Sequence, residues 1–203
     1  MMTNRSSSHR QDYRIISSMI REGATVLDLG CGDGALLAHL KQACGVSGYG
    51  VEKDNQKVLS SVKNGINVIQ ADLEQGLSGF ADGAFDYVVL SLTLQTVHET
   101  ETIIQEMLRV GKEVIVTFPN FGFWRHRAQI FFGKTPVSKE LPYQWYDTPN
   151  VHVLTISDFE IFCDTHAVRI LEKIVLNEQG ARVNVRPNLF GALAIYRFNR
   201  RDL

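Results

Sequence analysis

The sequence predicts an α/β fold built on a parallel sheet covered on both faces. Two observations carry this. Short β-rich apolar runs alternate with segments of helical spacing, the pattern that doubly covered parallel sheets produce. The first of those runs, Val26-Leu27-Asp28-Leu29, ends in glycines at alternate positions, Gly30, Gly32 and Gly34. That is how a buried strand turns tightly and passes a ligand along bare backbone into a helix. With 203 residues, 44% of them hydrophobic and 21% charged, the chain fits one domain with a full core. Residues 10–203 are read as that domain, with an irregular insertion at about 133–153.

The elements follow in order. Tyr13–Arg21 places Ile15, Ile16, Met19 and Ile20 on one helix face. Thr25–Leu29 is the first buried strand, and Gly34–Ala43 is a helix with Leu36, Leu37 and Leu40 inward. Ser47–Glu52 is a short strand ending in an acid. Asn55–Lys63 repeats the helix spacing at Val58, Leu59 and Val62, and Ile66–Gln70 is the third strand. Phe85–Ser91 is the fourth. Thr100–Arg109 is a helix with Ile103, Ile104, Met107 and Leu108 on one face, and Glu113–Phe118 is the fifth strand. Gly122–Phe132 reads as an aromatic-rich helix. Gly133 to about Val153 holds three of the five prolines and no periodicity, a length that usually marks a functional or lid-like loop. Ser157–Thr165 is a helix with Ser157 as N-cap and Glu160 at the capping-box position. Val168–Leu176 and Ala192–Phe198 are the terminal strands.

Bulk properties exclude several classes. With 21 basic and 22 acidic side chains the net charge is −1, which gives no overall attraction to nucleic acid or to an anionic membrane. No apolar run approaches the ~20 residues that a spanning helix needs. Met1 to His9 is polar and serine-rich without an apolar stretch, which predicts a disordered leader and not a secretory signal. Cys31, Cys44 and Cys163 are odd in number and irregular in spacing. They suit a reducing cytoplasm and neither a disulfide framework nor a zinc site. The six histidines lack metal spacing, so no metal is expected.

Gly30-x-Gly32-x-x-Ala35 satisfies the relaxed dinucleotide fingerprint, and Glu52 lies where an acid binds a ribose diol. An NAD-dependent oxidoreductase is therefore one reading. It leaves other acids unexplained: Asp28 inside the strand end, two residues before the first glycine, Asp72 after the third strand, and Asp86 near the start of the fourth. Each acid also has a plain reading, as a cap, a turn residue or a solvent-facing strand end. A dinucleotide pyrophosphate would be repelled by carboxylates close to the turn, whereas a ligand with a sulfonium and an ammonium would be favoured. The combination over residues 24–118 resembles the class I methyltransferases that use S-adenosyl-L-methionine (SAM). The resemblance implies a Rossmann-like fold with a seven-stranded, mostly parallel sheet and an antiparallel C-terminal strand. It also implies a site. Gly30, Gly32 and Gly34, with Cys31 between them, line the turn against the amino-acid part of SAM or of S-adenosylhomocysteine, and Asp28 faces that part. Glu52 takes the ribose hydroxyls beside Lys53, Asp72 takes the adenine edge with Leu73 on the ring, and Ser91 and Leu92 close the methionine side. Cys31 itself reads as a small turn residue, with nothing basic beside it to activate the thiol.

The second half carries longer signatures: Leu92-Thr-Leu-Gln-Thr-Val97, Glu106-Met-Leu-Arg-Val-Gly111, Phe118-Pro-Asn-Phe-Gly122, Leu141–Asn150 and Pro187-Asn-Leu-Phe-Gly191. From about Tyr13 to Phe198 they closely resemble the MetW family of methionine-biosynthesis proteins. That resemblance implies a role beside a homoserine O-acyltransferase, names no methyl acceptor, and leaves the catalytic residues open. Two functions stay in view: a SAM-binding partner of the acyltransferase, and a methyltransferase acting on a small molecule. Tyr143, Tyr146, Asp147, His98 and His152 are the candidate acid–base residues. The run Tyr143–Asp147 reads equally as an acceptor lid, a partner surface or a loop packed on its own domain. Arg125 and Arg127, with His126, read as a small basic cluster on a solvated surface or facing an acidic partner; two apart on a helix, the arginines face away from each other and form no anion clamp. His39 reads as a plain surface or groove residue.

Overall fold

In a computed structural model that describes residues 9–201, the chain forms a seven-stranded sheet in the order β3-β2-β1-β4-β5-β7-β6. The strands are β1 (Thr25–Leu29), β2 (Ser47–Glu52), β3 (Val68–Gln70), β4 (Phe85–Ser91), β5 (Gly111–Pro119), β6 (Val168–Leu176) and β7 (Leu193–Arg200). Strands β1 to β5 pair in parallel, and β7 runs antiparallel to both β5 and β6. This is the expected α/β architecture with its antiparallel C-terminal strand. The helices are α1 (His9–Met19), α2 (Ala35–Cys44), α3 (Asn55–Lys63), α4 (Thr100–Val110), α5 (Trp124–Phe131), α6 (Ile156–Thr165) and the short α7 (Pro187–Phe190).

Two cores sandwich the sheet. On one face Val26, Val89, Ile115 and Ile195 meet Ile16 of α1 and Leu36, Leu37 and Leu40 of α2. On the other, Leu27, Leu29, Val88 and Val116 meet Ile103, Ile104 and Met107 of α4 and Phe159 of α6. The two strand faces are thus both apolar, as a doubly covered parallel sheet requires. Among the described residues no helix is long and apolar enough to cross a membrane.

Several expectations are corrected. Helix α1 begins at His9 and ends at Met19, so one residue of the expected leader is helical; the rest of that leader, Met1–Ser8, lies outside the described residues. Strand β3 is only three residues long, because it is the sheet edge and pairs with β2 alone. The N-cap of α6 is Thr155, not Ser157, and Asp158 completes the capping box in place of Glu160. The Ser157 hydroxyl instead accepts from Asn188 Nδ2 at 2.7 Å. In α3 the expected inward residues Leu59 and Val62 are 50% and 58% exposed, and Ser61 is the buried residue. The glycine turn lies too close for a larger side chain: a Cβ on Gly34 would meet Ile66 Cγ1 at 2.9 Å and Ser61 Oγ at 3.1 Å.

The crossover from β3 to β4 contains one 3-10 turn, Leu73–Gln75, and no α-helix. A guanidinium holds it in place. Arg109 of α4 donates to the carbonyls of Leu77 and Phe80, at 3.0 and 2.9 Å, while pairing with Glu106 and Asp82. Glu106 in turn accepts from Leu77 N at 3.1 Å. The spacing Glu106-x-x-Arg109 in one of the signatures is therefore a clamp for an irregular crossover.

Candidate functional site

The site is assembled at the carboxyl ends of β1, β2 and β4, starting from the glycine turn. Gly30, Gly32 and Gly34 all have left-handed backbones, with φ of +67°, +61° and +76°, which side chains other than glycine rarely tolerate. Gly30 N and Cys31 N both donate to Val51 O, at 2.8 and 3.1 Å, fixing the turn to β2. A Cβ on Gly30 would meet Thr93 Oγ1 at 2.9 Å, whereas one on Gly32 would meet nothing within 4 Å. Gly32 therefore fronts open space, a cradle that any Cβ would fill. The Cys31 side chain points beneath the turn, against Gly50 and Ser61, and burial pushes its thiol up to about 12. Only its backbone faces the turn surface.

The acids around the turn differ in state. Asp28 is 2% exposed, and its Oδ2 is buried with no hydrogen-bond partner among the described residues. Burial, aided by the nearby charge of Glu52, pushes its carboxyl up to about 8. It caps no helix: the N-cap of α2 is Gly34, and Ala35 N donates to Asp33 Oδ1 at 3.1 Å. An orphaned buried carboxyl oxygen is costly, and a cationic partner would relieve it. Glu52, 6% exposed, accepts three backbone N–H groups at 3.0 Å: Gly32 on Oε2, and Lys53 and Asp54 on Oε1. A carboxylate offers about four lone-pair sites, so one remains for a hydroxyl. Asp72 has the plain role as well, capping the 3-10 turn through Glu74 N at 3.1 Å, and it lies 3.8 Å from Lys53 Nζ. Leu73 opens that turn, half-buried beside it.

The end of β4 holds a feature that no residue pattern announces. Leu92 has φ +53°, a left-handed backbone that costs a non-glycine residue about 1–3 kcal/mol and collects at functional sites. It is held by Leu92 N donating to Thr117 O and Oγ1, both at 3.0 Å, and by Gln95 Nε2 donating to Leu92 O at 2.8 Å. Ser91 Oγ shares a 3.1 Å hydrogen bond with Thr117 Oγ1. Asp86, by contrast, is at the amino end of β4 and takes no part in the site. It accepts from Thr25 N and Oγ1, both at 3.0 Å, and pairs with Lys112, which together hold its carboxyl down at about 2.

Beyond β5 the signatures meet in space. Asn120 is fully buried, and its amide makes four hydrogen bonds: Nδ2 to the carbonyls of Asn188 and Gly191, Oδ1 from Gly122 N and Ile156 N. It thereby ties the loop after β5 to α6 and to the Pro187–Gly191 turn. His126, expected in a surface basic cluster, is fully buried with Nδ1 on Asn120 O at 3.1 Å, and burial lowers its pKa. Arg125 and Arg127 do diverge, to Glu178 and to Gly122 O. His39 is half-buried, its ring 5.8 Å from that of Tyr13, with Nε2 buried and without a hydrogen-bond partner among the described residues.

The segment from Gly133 to Leu154 contains no helix or strand. It is pinned to β4's far end by Gln95 O, which accepts from Val151 N at 2.9 Å and His152 N at 3.1 Å. Beneath it is an open cavity of about 230 Å³ that includes Phe121, Tyr143, Trp145 and His152 in its walls. Of the candidate acid–base residues, His98 and His152 come together through a 3.1 Å contact from His152 Nε2 to His98 O, and Tyr143 joins His152 in the cavity wall. Tyr146 is 71% exposed, and Asp147 closes a local turn by accepting from Gln144 N at 2.7 Å. Among the described residues no three His, Cys, Asp or Glu side chains gather in a way that could hold a metal ion.

Comparison with known proteins agrees with this geometry. The family model described as methionine biosynthesis protein MetW matches residues 10–198. The bifunctional methionine biosynthesis protein MetXA/MetW of Rhodopirellula baltica is 36% identical over 204 residues, covering 94% of this chain and 33% of that protein. The demethylmenaquinone methyltransferase of Oceanobacillus iheyensis is 30% identical over 100 residues, covering 46% of this chain and 42% of that one. The chain thus spans a third of the first relative and under half of the second. Among solved structures, an S-adenosylmethionine-dependent methyltransferase from Mesorhizobium loti superposes with a TM-score of 0.70 at 14% identity, covering 96% of this chain and 99% of that one. A SAM-dependent methyltransferase from Archaeoglobus fulgidus gives 0.68 at 14% identity, covering 95% and 92%. The chain belongs to the MetW family of methionine biosynthesis proteins and has the fold of the SAM-dependent methyltransferases.

Proposed function

We infer that this chain binds SAM, or S-adenosylhomocysteine, at the glycine turn and acts in methionine synthesis together with a homoserine O-acyltransferase. The observations that carry the binding reading are the orphaned oxygen of Asp28 and the open face of Gly32. A ligand with a cationic amino group supplies what that oxygen lacks. Glu52 offers its remaining lone pair to one ribose hydroxyl. Asp72 and Leu73 stand at the adenine side, with Lys53 above them, and the strained Leu92 and its neighbour Ser91 stand at the methionine side. When bound, SAM supplies a methyl group on a sulfonium, an electrophile. The protein's own part is to bind and orient it through the residues just named.

The partnership rests on the relative in which a MetW part is fused to a MetXA part. The three cysteines are free thiols, which fits a cytoplasmic setting. A second reading, transfer of the methyl group to a small molecule, is favoured by the cavity under residues 133–154.

Calorimetry with SAM, S-adenosylhomocysteine and NAD tests the binding reading. SAM is expected to bind and NAD not to bind; the reverse order sinks it. Asp28→Ala is expected to weaken SAM about 10- to 100-fold, the loss of one charged hydrogen bond. Mixing the protein with a homoserine acyltransferase tests the partnership: a change in acyltransferase activity supports it, and its absence with or without SAM refutes it.

A further inference from the structure

We propose that the cavity beneath residues 133–154 is a binding site for a small uncharged aromatic molecule carrying a hydroxyl or amine donor, which it gives to His152 Nδ1. The chemistry of the walls selects the class. None of the eleven lining residues is Asp, Glu, Lys or Arg, so an ionised ligand would lose its hydration without gaining a counter-charge. Phe121, Tyr143 and Trp145 supply rings on which a planar ligand packs. Cavities of about 150 Å³ take benzene, so a space of about 230 Å³ takes one substituted ring.

His152 supplies the specificity. Its Nε2 lies 3.1 Å from His98 O, a carbonyl that can only accept, so Nε2 carries the proton. Nδ1 is then a lone-pair acceptor, and it makes no hydrogen bond to any described residue. His98 is in turn fixed by Glu74 Oε1, which accepts His98 N at 2.8 Å, and the His152 backbone is held by Gln95 O. The ring and its tautomer are therefore set before any ligand arrives. The cavity is also preformed. Gln129 exchanges two 3.0 Å hydrogen bonds with the backbone of Val137, and Ser138 and Leu141 close a turn between Pro136 and Pro142.

The cavity shares no residue with the proposed cofactor set, so its test and that of SAM binding fail separately. Phenol, cyclohexanol, fluorobenzene and benzoate are titrated against the full chain, with backbone-amide shifts read by NMR. Phenol is expected to bind about tenfold more tightly than cyclohexanol or benzoate, with shifts at Tyr143, Trp145 and His152. His152→Phe keeps the ring and removes the acceptor. It should bring the preference for phenol over fluorobenzene to unity. Tyr143→Ala should weaken phenol about 3- to 10-fold. Phe131→Ala, on a remote exposed ring, should leave it unchanged. The proposal is overturned if benzoate binds as well as phenol, if the wild-type shifts map to Phe131 and Phe132, or if Tyr143→Ala and Phe131→Ala weaken phenol alike. These arms decide even where His152→Phe does not fold.

Discussion

The glycine turn and the segment from Gly133 to Leu154 lie at the same end of one sheet, and they are built in opposite ways. The turn is backbone. Its amides bond to Val51 O and to Glu52, the Cys31 side chain is tucked beneath, and two of the acids around it, Asp28 and Glu52, are buried. The segment is side chain. Trp145, Tyr146 and Val153 are each about 70% exposed, and prolines and local turns set its path. A site made of backbone must use glycine at fixed positions, so the spacing of residues reports it. A site made of side chains on an irregular path leaves no such spacing, and only the folded chain reports which residues meet.

The largest effect is expected at Asn120, which fixes the start of α6, where the irregular segment ends, to the loop after β5 and the Pro187–Gly191 turn. Replacing it with Ala strips the partners from two buried N–H groups and two carbonyls at once. We expect a loss of about 3–5 kcal/mol, read as a fall of roughly 10 °C in melting temperature. A loss under 1 kcal/mol would mean that the start of α6 is held by other contacts.

The next effect concerns the turn. The carboxyl of Asp28 sits near 8 in the folded chain, through burial first and the Glu52 charge second, against an ordinary value near 4. The folded state thus keeps a proton that the unfolded state has released, and stability must fall as pH rises from about 4 to about 8. Asp12, pushed up to about 7 by burial, acts in the same direction. Asp28→Asn removes the first contribution and leaves the second. It is expected to stabilise the ligand-free protein by about 1–3 kcal/mol at pH 8 and by nothing near pH 4. Melting curves across that range decide it; a variant less stable at pH 8 would mean that Asp28 is already paired. Because SAM would bring the cation, its affinity for the wild type should rise over the same interval.

Legibility follows the same division. The boundaries of β2, α3, β4 and β6 are readable to the residue: β2 ends at the acid Glu52, Asp54 caps α3, and β4 and β6 are apolar-rich runs. The three glycines, and the place of Asp28 inside the strand end, are readable from the strand and the turn that follows it. What pattern could not give was anything set by close approach. Ser61, and not Leu59, is the inward residue of α3, since only a small side chain fits under Gly34. Leu92 carries backbone strain that no residue type announces. Asp86 looked like part of a set of acids, yet it sits at the opposite end of its strand and holds Thr25. His126 looked like a surface cation because its neighbours are arginines; the 3.1 Å bond to Asn120 O turns it inward.

The smallest effect is the most discriminating one for the segment. Tyr146 is 71% exposed and Phe131 85%, with ring contacts only to their chain neighbours Trp145 and Phe132. If these rings serve a contact outside the chain, replacing either with Ala should change stability by no more than about 0.5 kcal/mol. A loss above 1 kcal/mol for Tyr146→Ala, in urea unfolding, would instead show the segment packed on its own domain. The same variants divide the other two roles. A partner surface rich in aromatic anchors loses most of its affinity when one anchor is cut. Tyr146→Ala would then abolish association with an acyltransferase while leaving the affinity for phenol unchanged. A lid over the cavity would instead leave association unchanged in Tyr146→Ala and lose phenol affinity in Tyr143→Ala, since Tyr143 and Trp145 line it and Tyr146 does not.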